Sequence, residues 1–88
     1  MLDKTSVSTR LTELARAAAP GLSEFDGNPR FANLRMAGLT SISAVRLMLD
    51  IEAAFDIAIP DGDLTPENFA DIASIERLVL RIQASATA

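Results

Sequence analysis

Cysteine, histidine, tryptophan and tyrosine are all absent from this chain of 88 residues. Without cysteine there can be no disulfide, no thiolate zinc or iron–sulfur site and no thiol nucleophile. Without histidine the commonest general base, the commonest metal ligand and any Ser-His-Asp triad are lost. Four phenylalanines supply all the aromatic character. No segment approaches the ~20 apolar residues that a membrane span needs. Met1-Leu2-Asp3-Lys4-Thr5 lacks the basic and apolar regions of a secretory signal. These absences argue against a self-contained enzyme and make a cytoplasmic location the expectation. What is present is globular in character: 49% apolar and 23% charged residues. We expect a single, free-standing, monomeric domain over residues 1–88, burying roughly 60–65% of its unfolded surface.

The net charge of −4 is unevenly spread. Residues 1–46 carry six basic and four acidic side chains. Residues 47–76 carry eight acidic side chains and no basic one, and Arg77 and Arg81 follow. Such a stretch repels phosphate backbones and argues against nucleic acid as a partner. As a whole it points to steering of basic protein surfaces, although any one of its carboxylates can be a solubilising surface group.

Val7, Leu11, Leu14 and Ala18 fall on one face of a first helix, with Thr5 or Ser6 as its cap and Pro20-Gly21 as its end. A connection over about residues 19–40 follows, longer than compact domains usually tolerate without a function. Its Leu22, Phe25, Phe31, Leu34 and Met36 suggest that it packs across the fold. A second helix is expected from Ser41 to Phe55. At 100° per residue, Ala44, Leu47, Met48, Ile51 and Phe55 form a core stripe, with Ser43, Arg46 and Asp50 on the polar arc. Ile42, Val45 and Leu49 form a second stripe, which fits either a broad buried face or an exposed docking patch. Ile57-Ala58-Ile59-Pro60 reads as extended. Thr65-Pro66 opens a short helix, and Ser74 caps a final one lined by Ile75, Leu78, Val79 and Ile82. The reading is all-α: a small irregular four-helix bundle, three helices longer and one short, with a long first loop.

Chemistry-bearing patterns are few. Asp61-Gly62-Asp63 has the opening of a calcium loop, but the remaining ligands are not at the required spacing, and these are ordinary turn residues. No phosphate-binding glycine loop, metal-ligand spacing or Ser/Lys dyad is present. Gly38-Leu39-Thr40-Ser41 places a hydroxyl pair at a loop-to-helix junction. It fits a plain turn and N-cap. It equally fits an exposed serine at a helix N-terminus, where negative charge such as a phosphodiester is favoured.

The run Gly38-Leu39-Thr40-Ser41-Ile42-Ser43-Ala44-Val45-Arg46-Leu47, with Phe55 and Pro60 downstream, resembles the acyl carrier and peptidyl carrier protein family. The resemblance extends over roughly Leu34 to Ile82. It implies an acyl-carrier-like bundle in which Ser41 receives 4′-phosphopantetheine from coenzyme A through a separate, magnesium-dependent phosphopantetheinyl transferase. It further implies that the arm's thiol holds an acyl or aminoacyl group as a thioester for a loading ligase and downstream transferases. Leu39, Thr40, Ile42, Val45, Arg46 and Leu49 would meet those partners, and Ile59 and Phe69 would extend that surface or belong to the core. Leu47, Ile51, Phe55, Leu78, Val79 and Ile82 would be structural.

This chain has Thr40 where the family often has Asp or His, Arg46 where fatty-acid carriers have an acid, and Ala37 where they favour Leu. Leu64-Thr65-Pro66-Glu67-Asn68-Phe69 resembles stand-alone carriers of amino-acid activation. Together these favour a specialised carrier, possessing no catalysis of its own, over a housekeeping one. The competing reading is a helical protein-interaction adaptor without a prosthetic group. A third, small-molecule binding inside the bundle, requires a cavity that sequence does not reveal.

Overall fold

A computed structural model describes residues 4–86. Three α-helices of 15 residues each make up its frame: α1 over Lys4–Ala18, α2 over Ser41–Phe55 and α3 over Ile72–Ala86. Short 3-10 turns lie at Pro20–Glu24, Pro29–Phe31 and Asp61–Asp63, and no strand occurs among the described residues. α1 packs against both α2 and α3. The all-helical class therefore stands, but among the described residues a fourth α-helix does not form.

The expected short helix at Thr65 is a single turn. Thr65 does cap it, accepting the Asn68 amide on Oγ1 at 3.2 Å, and the Phe69 amide reaches the Thr65 carbonyl at 3.1 Å. The turn is not continued: the Asn68 side-chain amide folds back to donate to the Asp63 carbonyl, and the Ala70 carbonyl accepts from Leu34 in the long loop. Asp71 then starts α3, its Oδ1 accepting the Ser74 amide at 2.8 Å. Asp71, not Ser74, is the cap. At the other end of the chain α1 begins by Lys4, which puts Thr5 and Ser6 inside the helix rather than at its start.

The core keeps to the stripes read from the sequence on α2 and α3, to which Ile72 is added, while on α1 Ala15 is buried and Leu14 and Ala18 are only partly so. Val7, Leu11 and Ala15 of α1 meet Leu47, Met48 and Ile51 of α2 and Ile72, Ile75, Leu78 and Val79 of α3. Ala44, Phe55 and Ile82 pack at its edge, half-buried. α2 ends at Asp56, which takes the left-handed conformation (φ 55°, ψ 51°) that closes a helix, and its amide bonds to the Glu52 carbonyl. The Glu52 side chain accepts the Ile59 amide at 2.7 Å, tying the extended 57–60 segment back onto α2.

The long connection is a packed layer. Leu22, Ala32, Leu34 and Leu39 are buried, whereas Phe25, Phe31 and Met36 are exposed. Its two ends cross at glycines. The Gly21 amide bonds to the Ala37 carbonyl at 2.7 Å, and a β-carbon on Gly21 would sit 2.9 Å from that same oxygen. Gly38 adopts φ +107°, a conformation that side chains resist, beside Pro20. The loop is fastened at two points: the Leu34 amide on the Ala70 carbonyl in the turn before α3, and Arg30 donating to Glu76 of α3. Glu76 is buried inside α3 and is the one charged residue so placed among those described. A carboxylate in that position has to be paired, and Arg30 reaches it from the loop while stacking 5.3 Å above the Phe31 ring centre.

Arg30→Ala is expected to lower stability by about 1–3 kcal/mol by leaving Glu76 buried without its donor, and Leu34→Ala by about 2–5 kcal/mol through the cavity it creates. Urea unfolding of the two variants against the parent chain measures both. Phe31→Ala, at an exposed position, should shift the midpoint far less than Leu34→Ala.

Candidate functional site

The junction between the long loop and α2 is shaped by a reciprocal cap. Thr40 is the N-cap residue, in extended backbone (φ −103°, ψ 173°). Its Oγ1 accepts the Ser43 amide at 3.1 Å, and the Ser43 hydroxyl in turn accepts the Thr40 amide at 2.8 Å. This is a capping box with serine in the place more often held by Glu or Gln. The capping work is thus done by Thr40 and Ser43. Ser41, between them at the first helical position, is exposed, and its hydroxyl makes no hydrogen bond among the described residues. The plain N-cap reading of the junction therefore applies to Thr40 and leaves Ser41 unengaged. A negative group on Ser41 would stand at the positive end of the α2 dipole.

The second apolar stripe of α2 faces outward. Ile42 is 84% exposed, Leu49 54% and Val45 42%, and Met36 of the loop is 86% exposed. Of the two readings open to the sequence, the exposed patch is the one the fold selects. Arg46 is also exposed on this side, and neither it nor Arg35 forms an ion pair among the described residues. Leu39, Phe69 and Ile59 are buried. Leu39 and Phe69 still line the floor of a groove at the site, whereas Ile59 belongs to the core, tied to Glu52 through its backbone. Ile59 is thus removed from the surface around Ser41.

That groove, of about 480 Å³, opens beside Ser41. Thr40, Ser41, Ala44 and Val45 form its α2 side, Arg35 and Leu39 its loop side, and Leu64, Thr65, Pro66 and Phe69 its far wall. Sequence reasoning passed over Arg35, because it lies upstream of the Gly38–Leu47 run and only the folding of the loop brings it to the groove beside Ser41. Among the described residues no carboxylate lines the groove, and none is placed there to take a proton from Ser41. Among the described residues no cluster of acidic groups is arranged to hold a metal ion, and no helix is long and apolar enough to cross a membrane.

The acidic segment is less free than its composition suggests. Glu52 holds the Ile59 amide, Asp63 lies 3.6 Å from Arg81, Asp71 caps α3 and Glu76 pairs with Arg30. Asp50, Asp56, Asp61 and Glu67 are left exposed. Half of the expected steering charge is thus structural, and the surface next to Ser41 is apolar and basic.

Comparison with known proteins agrees with this geometry. Residues 30–82 match the family described as the phosphopantetheine attachment site. Aminoacyl carrier protein 1 of Bradyrhizobium diazoefficiens is 47% identical over 57 residues, which is 65% of this chain and 63% of that protein. Aminoacyl carrier protein of Agrobacterium fabrum is 52% identical over 48 residues, 54% of this chain and 58% of that protein. The chain therefore spans somewhat less than two thirds of the length of these relatives. Among solved structures, a chain in the crystal structure of Bradyrhizobium japonicum glycine:[carrier protein] ligase complexed with glycylated carrier protein superposes with a TM-score of 0.57. It is 36% identical, and the match covers 78% of this chain and 97% of that one. The chain belongs to the phosphopantetheine attachment site family. The residues present fit that group: an exposed, unengaged hydroxyl at a helix N-terminus, opening onto a groove with apolar and cationic walls.

Because Thr40 and not Ser41 caps α2, Thr40→Ala should cost about 1 kcal/mol of stability, while Ser41→Ala should stay within about 0.5 kcal/mol of the parent chain. Thermal unfolding of the two single variants is the direct check.

Proposed function

We propose that Ser41 is the attachment residue of this phosphopantetheine-binding chain, and that the chain carries an aminoacyl group on the arm and presents it to partner enzymes. The observation that carries this reading is the division of labour at the start of α2. Thr40 and Ser43 satisfy the helix end and Ser41 stays exposed with a free hydroxyl. Support for an aminoacyl rather than fatty-acyl cargo comes from the names of the similar proteins, from the glycylated carrier in the similar structure and from Arg46 on the exposed face.

In attachment, Ser41 Oγ acts as the nucleophile toward phosphorus in coenzyme A. The Ser41–phosphorus bond forms as the bond to the nucleotide half of coenzyme A breaks. The hydroxyl proton passes to a base of the transferase, because the residues around Ser41 include none. When bound, the prosthetic group supplies a thiol on a long arm, the chemistry that a chain without cysteine does not have. The helix N-terminus favours the phosphodiester charge next to Ser41. Tethering cargo to a small carrier raises its local concentration at each docked enzyme. Ile42, Val45 and Leu49, together with Arg46, form the face that meets the transferase and an amino-acid-activating ligase, with Leu39 and Thr40 shaping the junction they approach. An exposed stripe of this kind is also what an adaptor without a prosthetic group would need, and modification separates the two readings.

Coexpression with a broad-specificity phosphopantetheinyl transferase should raise the intact mass of the chain by one phosphopantetheine, and Ser41→Ala should abolish the gain. No gain with two unrelated transferases would leave the adaptor reading. Ile42→Glu and Leu49→Glu should fold normally, since both positions are exposed, yet slow aminoacyl loading by a carrier-protein ligase at least tenfold. Loading is read from the mass of the thioester-linked product.

A further inference from the structure

We infer that the exposed face of α2 and the adjoining loop select a partner by the sign of its charge: an amino-acid-activating ligase whose docking surface bears carboxylates beside an apolar recess. Arg46 and Arg35 are the residues of this chain that set the preference. The inference rests on the assignment of Ser41 and adds to it the charge of the loading enzyme. That charge is opposite to the basic one that a net charge of −4 would attract.

Arg46 borders the outward stripe of α2. At 100° per residue it lies about 40° round the helix from Ile42 and about 60° from Leu49. Both apolar side chains are more than half exposed, and Arg46 is exposed with them. Arg35 comes from the loop and is exposed on the same side of the fold as Ser41. Neither arginine has an ion pair or a side-chain hydrogen bond among the described residues. Met36, next to Arg35, is 86% exposed yet sits in a fixed turn. Its amide bonds to Asn33 Oδ1 at 3.1 Å, and the Ala37 and Gly38 amides close the turn on the Leu34 and Arg35 carbonyls. Arg and Met are both enriched where proteins meet.

The exposed carboxylates of the acidic segment lie mostly beyond reach of this face. Asp56 ends α2, about 15 Å along its axis from Arg46, and Asp61 follows in the next turn. Salt screens charge over about 8 Å under physiological conditions, so a docking surface meets the arginines before those acids. Asp50 is nearer, about 6 Å along the helix, and offsets part of the Arg46 charge at the Leu49 end. Glu67 stands in the turn across the groove, but among the described residues no carboxylate lines the groove where Arg35 stands. Modification adds one negative charge at Ser41. Two cations and the positive end of α2 exceed it, so the modified chain keeps a positive end. A basic surface is repelled there, and one carrying carboxylates is drawn in and oriented. Because the arginines are exposed, their effect falls on encounter and salt dependence more than on the strength of a held contact.

The test uses the full chain, brought to complete phosphopantetheine modification as judged by intact mass, and a glycine-activating carrier-protein ligase. Initial rates of loading give KM and kcat for the carrier. Arg46→Glu should raise KM at least tenfold with a far smaller change in kcat and an unchanged melting temperature, and Arg35→Glu should act in the same direction. Arg46→Lys, which keeps the charge, should restore most of the loss. Arg10→Glu alters the net charge equally but lies on α1, outside this face, and should leave KM within twofold of the parent. Raising salt from about 50 to about 500 mM should raise KM for the parent chain and have less effect on Arg46→Glu. A modified chain that the ligase does not load, a KM indifferent to Arg46→Glu or lowered by it, or an equal loss in Arg10→Glu overturns the inference and leaves Ser41 assigned. A parent chain that takes up no phosphopantetheine refutes the assignment of Ser41, and the inference with it.

Discussion

The Arg30–Glu76 pair is the constraint on which the rest of the arrangement depends. The connection between α1 and α2 is far longer than a helical bundle of this size requires, and a loop of that length left loose would blur everything placed at its end. Glu76 turns that liability into order. A carboxylate buried on the inner face of α3 is costly unless a donor reaches it, and the donor comes from the loop. With Leu34 bonded to Ala70 a few residues later, the second half of the loop is pinned to the start of α3. Leu39, Thr40 and Arg35 then arrive at the N-terminus of α2 in set positions.

From that anchoring follows the separation of roles at the junction. A helix start has unsatisfied amides that some side chain must meet. Had Ser41 met them, its hydroxyl would be committed to structure. Thr40 and Ser43 meet them instead, each accepting the other's amide. The residue between them is then released to face solvent at the positive end of the helix. The same economy shows in the apolar side chains of α2. Leu47, Met48 and Ile51 turn into the core, and Ile42, Val45 and Leu49 stay exposed.

Much of this was legible in the residues. The boundaries of α2 and its core stripe followed from a period of 3.6, and the end of α1 from Pro20. The carrier resemblance singled out Ser41 through Gly38, Phe55 and Pro60, and the fold leaves that residue exposed. What was not legible depended on long-range pairing. Thr65-Pro66 is a sound helix start, yet only one turn forms there, with the Ala70 carbonyl paired to Leu34 of the distant loop and the Asn68 side chain to Asp63. Ser74 and Asp71 are both competent caps, and only the position of α3 decides between them. The acidic run read as free surface charge because a sequence does not say that Glu76 is turned inward or that Glu52 holds the Ile59 amide. Arg35 was invisible for the same reason: its relation to Ser41 exists only once the loop is folded.

The central claim is that Ser41, and neither of the hydroxyl residues that flank it, is the nucleophile. Trypsin cleavage after Arg35 and Arg46 releases Met36 to Arg46 as one peptide containing Thr40, Ser41 and Ser43. Tandem mass spectrometry of that peptide from the phosphopantetheine-modified chain should place the whole added mass on Ser41. Placement on Ser43 or Thr40, whose hydroxyls the capping box engages, would contradict the account of how this helix end is built and used.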